Sequence, residues 1–234
     1  MRVVVYSALY GGYEEPKPLP DLGVRAIMMT DDPKLVAPGW TVRVANHWGT
    51  KHGAGSPYGP MLRAKWWKTH PQAVCGLRTD VSLYLDASMT VTAPDYVARC
   101  LEALGDDDWV MVKHPSRSCI YDEAAYSATL PRYRGAKLAE QATYYCELGH
   151  PEHWGLFANG ANVRRHTPFV LDLGQKWWQE CVERTWQDQV SLPVLVRSAG
   201  DLLRWNTNMP WGQWWQHSEH PWASHHQDIS AASS

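Results

Sequence analysis

Short apolar, often β-branched runs alternate with stretches of helical period along almost the whole chain, and that alternation admits few folds. Val3-Val4-Val5-Tyr6 reads as a buried first strand opening into a glycine-permitted loop, Ser7-Ala8-Leu9-Tyr10-Gly11-Gly12-Tyr13. Residues 24–29 form a second run, stopped by Thr30-Asp31-Asp32-Pro33, and residues 40–44 alternate like a third strand. Residues 49–60 hold four Gly and two Pro and are loop; helical period resumes at Met61 with Leu62, Lys65, Trp66 and Thr69. A strand over 81–85 ends in Asp86, a short strand follows over 89–91, and Pro94 opens a helix through Leu104 as an N1 proline would. Residues 109–113 read as the next strand, 121–130 and 136–148 as helices, the latter closed by Gly149 and Pro151. A short strand over 162–165, a helix over 169–184 and a further helix over 188–198, dented by Pro193, complete the pattern. The expected fold is one α/β domain over residues 1–215, a mostly parallel central sheet flanked by helices, with a poorly ordered His- and Ser-rich tail over 216–234.

Composition narrows the function. With 22 Lys+Arg against 24 Asp+Glu and scattered basic residues, the chain lacks the electrostatic footprint of a general nucleic-acid binder. No run of 18 apolar residues exists and the N-terminus has no apolar h-region, so neither membrane insertion nor secretion is expected and a cytoplasmic location is. Five cysteines without a C-x-x-C pair fit a reduced protein with no disulfide frame. The 14 Trp and 11 Tyr against 2 Phe give most rings a polar handle; core filling accounts for the majority, and sugar stacking is open to the rest.

The end of the first strand, with Tyr6 and Ala8, is a natural ligand edge in an α/β sheet. The string YLDASMTV, Tyr84 to Val91, puts an acid at the end of a buried strand. It resembles the aspartate motif of nucleotide-sugar-dependent glycosyltransferases of the GT-A fold. More widely, VYSALYGGY, TDD, YLDASMTV, HPSRSCIYDEA at His114 to Ala124, the segment at Gln141 to Tyr145, GHPEHWGLFANGANVRRH and WQDQVSLP occur in the order seen in one family. That family is the glycosyltransferase-like domain of plant mucilage and turgor-defect proteins, with bacterial and viral relatives. The likeness spans about 190 residues.

The resemblance implies a GT-A-like domain and a nucleotide-sugar donor such as a UDP-sugar. It places Thr30, Asp31 and Asp32 near the nucleoside and Arg63 with Lys65 toward the diphosphate. Asp86 and Ser88 fall where a divalent cation, Mn or Mg, bridges the diphosphate, and His217 or His220 where a late histidine completes that site. Ser88 replaces the usual second carboxylate and is a weaker ligand, which weakens the expectation of a metal. His114, Arg117 and Glu123 lie beside the donor sugar, and Asn159 in Asn159-Gly160-Ala161-Asn162 faces sugar hydroxyls. Asp188 and Gln189 sit under the anomeric carbon, Asp188 as acceptor base in an inverting enzyme, or either supporting an oxocarbenium-like transition state in a retaining one.

Plain structural roles stand beside these. Thr30-Asp31-Asp32-Pro33 is a turn with an Asx cap, Arg117 with Glu123 an ion pair bracing a His-Pro turn, Asn159-Gly160 a turn, and Asp188 a helix N-cap. Three functions are carried forward: a glycosyltransferase of unknown acceptor, a catalytically degenerate carbohydrate- or nucleotide-sugar-binding module, and a glycosyltransferase acting on modified nucleobases.

Overall fold

The first strand runs further than its β-branched core: β1 spans Val3–Leu9, so Ser7, Ala8 and Leu9 belong to the sheet and the glycine turn begins only after Tyr10. The computed structural model describes residues 1–45 and 59–217. Within them β2 (Arg25–Thr30), β3 (Thr41–Val44), β4 (Val81–Leu85), β6 (Trp109–Lys113), β7 (Phe157–Arg165) and β8 (Trp205–Met209) join β1 in a seven-stranded sheet of order β3-β2-β1-β4-β7-β6-β8. Every neighbouring pair is parallel except those of β7, which runs antiparallel to β4 and β6. The short β5 (Met89–Val91) pairs instead with β9 (Trp215–His217) in a separate ribbon, carrying the structure two residues past the expected boundary at 215. Residues 46–58 and 218–234 lie outside the described part, and with them His220 and most of the expected tail.

Alternation along each strand splits the core in two. Val5, Leu83, Val110 and Val112 pack with Tyr96, Cys100 and Leu104 of α3 (Tyr96–Leu104) on one face. Trp109 and Met111 turn to the other face, toward Trp177 of α6 (Pro168–Glu183) and the helices α4 (Ile120–Ala128), α5 (Leu138–Glu147) and α7 (Asp188–Ala199). Tyr6 and Trp67 fill a third cluster under α1 (Gly59–Thr69) and α2 (Pro71–Cys75). Trp109 and Trp177 are fully buried; removing either ring would cost about 3–5 kcal/mol. The sheet is thus an α/β core flanked by helices, and no helix among the described residues is long and apolar enough to cross a membrane.

Two local expectations need correction. Pro94 is not the first helical residue: α3 starts at Tyr96, two residues on, with Asp95 at its cap position. Residues 157–161 are strand rather than turn, because Asn159-Gly160-Ala161 continues the ladder of β7, with Ala161 opposite Leu85. The start of α6 follows the rules, Thr167 accepting from the Val170 amide with Pro168 next. A Cβ on Gly174 of that helix would lie 2.3 Å from the Thr69 carbonyl oxygen, so only glycine lets α6 pass this close to the end of α1. That contact sets where the basic side chains of α1 stand.

Candidate functional site at the carboxyl edge of the sheet

β1, β2 and β4 all end at one edge, where the amino end of β7 and the first turn of α7 also arrive. Such an edge carries loops and helix ends whose polar groups the sheet has not used. Asp86 is placed there by its own backbone, its amide donating to the Gly160 carbonyl at 2.7 Å. A side chain at Gly160 would put Cβ 2.3 Å from Met89 Cε and 3.1 Å from Asp86 Oδ2, so Met89 and the acid would both have to shift to admit one. Tyr84 donates its hydroxyl to Asp86 Oδ1 at 2.7 Å.

Lys65 and Lys68, three residues apart on one face of α1, meet the acids. Lys65 Nζ lies 2.7 Å from Asp188 Oδ1; Lys68 Nζ lies 3.0 Å from Asp188 Oδ2 and 3.8 Å from Asp86 Oδ1. Lys68 also stands over the Tyr84 ring, 4.8 Å from its centroid. Burial alone would raise the Asp188 carboxyl, but the two ammonium groups outweigh it and hold it down at about 2. Lys65 is raised in turn: burial opposes its charge, and Asp188 and Asp86 together prevail. The far end of α1 is tied down by the Lys68 carbonyl, which accepts from the Tyr6 hydroxyl at 2.9 Å and from the buried Arg164.

Asp188 is therefore not the N-cap. Gln187 holds that position and Asp188 is the first helical residue, its side chain spent on the lysines while its carbonyl accepts from Asn159 Nδ2 and Trp177 Nε1, both at 3.1 Å. Asn159 is buried and engaged in placing α7. Gln189 donates to the Phe157 carbonyl at 3.0 Å and so ties the same helix to β7. Tyr6 and Ala8 are likewise interior positions, because the strand continues past them; Tyr6 bonds the end of α1 and Ala8 pairs with Met29 of β2.

A residue with no motif joins this group. Glu14 sits in the loop between β1 and β2, which is pinned across the site by the Lys17 amide donating to the Ala87 carbonyl at 2.8 Å. Burial, then the neighbouring Asp86 charge, push the Glu14 carboxyl up to about 7 against hydrogen bonds with the Ser88 and Tyr13 hydroxyls. A second acid from another loop thus stands beside Asp86 and Ser88. At the nearer side Asp31 accepts from the Gly11 amide at 3.0 Å and lies 3.6 Å from Arg63, while Thr30 accepts from the Asp32 amide and Asp32 from the Lys34 amide. The turn expected at 30–33 is present, and Asp31 within it faces Arg63.

His114, Arg117 and Glu123 form a second cluster beside α7. Glu123 is buried and accepts from Arg117 Nε at 2.6 Å, Ser127 Oγ at 3.0 Å and Gln187 Nε2 at 2.7 Å. His114 Nδ1 accepts from the Arg117 amide at 3.0 Å, its Nε2 lies 3.9 Å from Glu123, and burial followed by the Arg117 charge lowers its pKa. Arg117 also covers the Tyr126 ring at 4.1 Å. His217 lies in β9 opposite Met89, two positions from the site's Ala87.

The structure thus brings Asp86, Ser88, Lys65 and Asp188 together, sets Arg63 with Asp31, and adds Glu14 and Lys68. Lys68 was open to discovery from its spacing to Lys65; Glu14 carried no sequence signal.

No family model matches this sequence, and no curated protein does. Among solved structures the chain is similar to CMP:2-keto-3-deoxy-manno-octonic acid synthetase complexed with CTP, at 14% identity over 99% of each chain and a TM-score of 0.46. It is also similar to mouse xyloside xylosyltransferase 1 in its apo form, at 8% identity over 88% of this chain and 83% of that one, with a TM-score of 0.43. Likeness at this level speaks to neither substrate nor reaction.

Proposed function

We propose that this edge binds the diphosphate of a nucleotide-sugar donor and that the protein is a glycosyltransferase of GT-A type. The observation that carries the reading is the pair Lys65 and Lys68, held on one helix face by acids from two other elements, Asp86 and Asp188. The order of the motifs along the chain supports it, since TDD, the basic pair on α1, the aspartate strand and Asp188 all arrive at one edge.

Charge accounting bears on the cation. Among the described residues Arg63, Lys65 and Lys68 each already face a carboxylate, so the group offers a diphosphate little unopposed positive charge. Burial first, and then the neighbouring Asp86 charge, hold the Glu14 carboxyl up beside Asp86. Asp86, Ser88 and Glu14 are oxygen donors of the kind Mg2+ or Mn2+ takes, and they fit such an ion. Bound there, it would supply neutralisation of the charge that develops on a leaving diphosphate.

The chain's own groups do the rest. Lys65 and Lys68 orient the phosphate oxygens, and Asp188 fixes both lysines before the donor arrives, which is the preorganisation electrostatic catalysis needs. Held at about 2, Asp188 is poorly matched to removing an acceptor proton, which calls for a group titrating near the working pH. Its fixed negative charge suits the alternative role, opposing the positive character that develops at the anomeric carbon.

The test is a melting screen against nucleotide diphosphates and nucleotide sugars, UDP-sugars first, with and without Mn2+, followed by single-turnover transfer or donor hydrolysis with the best binder. One donor should raise the melting temperature, and Asp86→Ala should fold but lose the rise. A shift unchanged in Asp86→Ala contradicts the site. Binding with neither transfer nor hydrolysis makes the protein a binding module.

A further inference from the structure

A second cluster, apart from the lysine and aspartate group, carries a different chemistry. Cys119 Sγ, a carboxylate oxygen of Asp122 and a ring nitrogen of His153 all lie within 4.8 Å of one another. Cys119 is the cap residue of α4, with φ −126° and ψ 131°, and Asp122 follows three residues later on the same face. His153 comes from the loop between α5 and β7.

We propose that these three residues bind one divalent ion of the zinc class. Thiolate, imidazole and carboxylate are the donor set of Zn2+, whereas Mg2+ and Ca2+ take oxygen alone. Ligand atoms in a tetrahedral zinc site stand roughly 3.5 Å apart given metal distances of about 2.0–2.3 Å, so modest side-chain rotation closes the set. The thiol is buried, while Asp122 and His153 are exposed, which leaves a path for the ion. A thiolate and a carboxylate balance two positive charges, and the amino end of α4 favours both anions.

The scaffold holds the donors from both sides. The Tyr121 hydroxyl donates to the His150 carbonyl at 2.5 Å, tying α4 to the loop that carries His153. Ser118 Oγ lies 3.1 Å from His153 Nδ1 and orients the ring, as an outer partner does for a ligating histidine. His153 is also the one non-glycine residue at positive φ among those described, at 55°. That is left-handed backbone, which a non-glycine residue adopts only under strain. Three protein donors leave a fourth position for water. An ion here would staple the segment 114–119, with His114 and Arg117, to the approach of β7, and the inference does not depend on the nucleotide-sugar reading.

The test is Co2+ titration of the full chain after dialysis against chelator, followed by visible and near-ultraviolet absorption. Cobalt bound through Cys119 gives a sulfur-to-metal charge-transfer band that histidines elsewhere in the chain cannot produce. Wild type should show the band and Zn2+ should abolish it; Cys119→Ser should lack it, while Cys146→Ser, at an exposed thiol, should keep it. His153→Ala lies on the surface and should fold normally, as a melting curve checks. Its Co2+ affinity should fall by at least the roughly 10- to 100-fold that loss of an outer partner alone produces. No complex, a complex without the sulfur band, or a band that survives Cys119→Ser or unchanged affinity in His153→Ala overturns the proposal.

Discussion

Two carboxylates are buried on either side of the first turn of α7, and they are satisfied in different ways. Asp188 is met by two full charges, Lys65 and Lys68, and among the described residues its side-chain oxygens meet no neutral donor. Glu123 is met by one guanidinium and by the neutral Ser127 hydroxyl and Gln187 amide. A buried acid neutralised only by charge depends on that charge and commits its partners to it; one shared among neutral donors is a brace. The first arrangement fixes two lysines at the carboxyl edge of the sheet, while the second closes on itself.

The largest effect expected from this contrast is on stability. Asp188→Asn strands two ammonium groups, one of them on the almost fully buried Lys68, and breaking a buried pair costs about 3–5 kcal/mol. Were Asp188 only a cap, asparagine would serve as well and stability would stay near wild type. Glu123→Gln keeps the shape and part of the hydrogen bonding, and Arg117, a quarter exposed, can turn to water; the expected loss is about 1–3 kcal/mol. Urea melts of the two variants rank them, and a reversed order would break the comparison.

Acid titration sharpens it. Asp188 is held at about 2 against an ordinary value of 3.8, so the stability it contributes is present above about pH 3.8 and is lost as pH falls through 2. The difference in stability between wild type and Asp188→Asn should shrink over that window. Buried His150 and partly buried His166, lowered to about 4 by burial and by Arg197 and Arg164 respectively, act earlier: their contribution is present above pH 6.5 and is lost toward 4. His150→Gln and His166→Gln should flatten that earlier limb.

Glu14 runs in the opposite sense and with a smaller effect. Its folded-state value of about 7 lies above its ordinary 4.5, so its contribution is full below 4.5 and is lost as pH rises through 7. Glu14→Gln should therefore gain stability relative to wild type between pH 5 and 8. Mn2+ should narrow the gap by displacing the Glu14 proton in wild type. A gap that Mn2+ leaves unchanged would separate Glu14 from the cation.

How far the sequence discloses this site follows from how each residue reaches it. Asp86 is legible because a buried strand must end somewhere and the acid stands at that end; Lys65 is legible because α1 has a clear start. Lys68 needs only the step from i to i+3. Glu14 lies in a loop without period, and contacts distant in sequence, such as the Lys17-to-Ala87 backbone bond, carry it to Ser88. The mixed pattern Trp205-Asn206-Thr207-Asn208-Met209 hides β8, an edge strand paired on one side only, whose polar side chains need not be buried. Asn159-Gly160 has the composition of a turn, and it is strand because β7 continues through it: the β4 ladder reaches Ala161, the Asp86 amide bonds the Gly160 carbonyl, and pairing with β6 resumes at Phe157 after a register shift.

The central claim is that the lysine and aspartate group, and not the Glu123 cluster, receives a nucleoside diphosphate. Calorimetric titration of UDP, with a parallel series of other nucleoside diphosphates and with Mn2+ present, tests it in wild type, Lys68→Met, Asp86→Asn and Glu123→Gln, each first shown to fold. Binding should be lost or weakened by at least about tenfold, roughly 1.4 kcal/mol, in Lys68→Met and Asp86→Asn, and should survive in Glu123→Gln. Undiminished binding in Lys68→Met, or loss confined to Glu123→Gln, would place the diphosphate elsewhere and contradict the account.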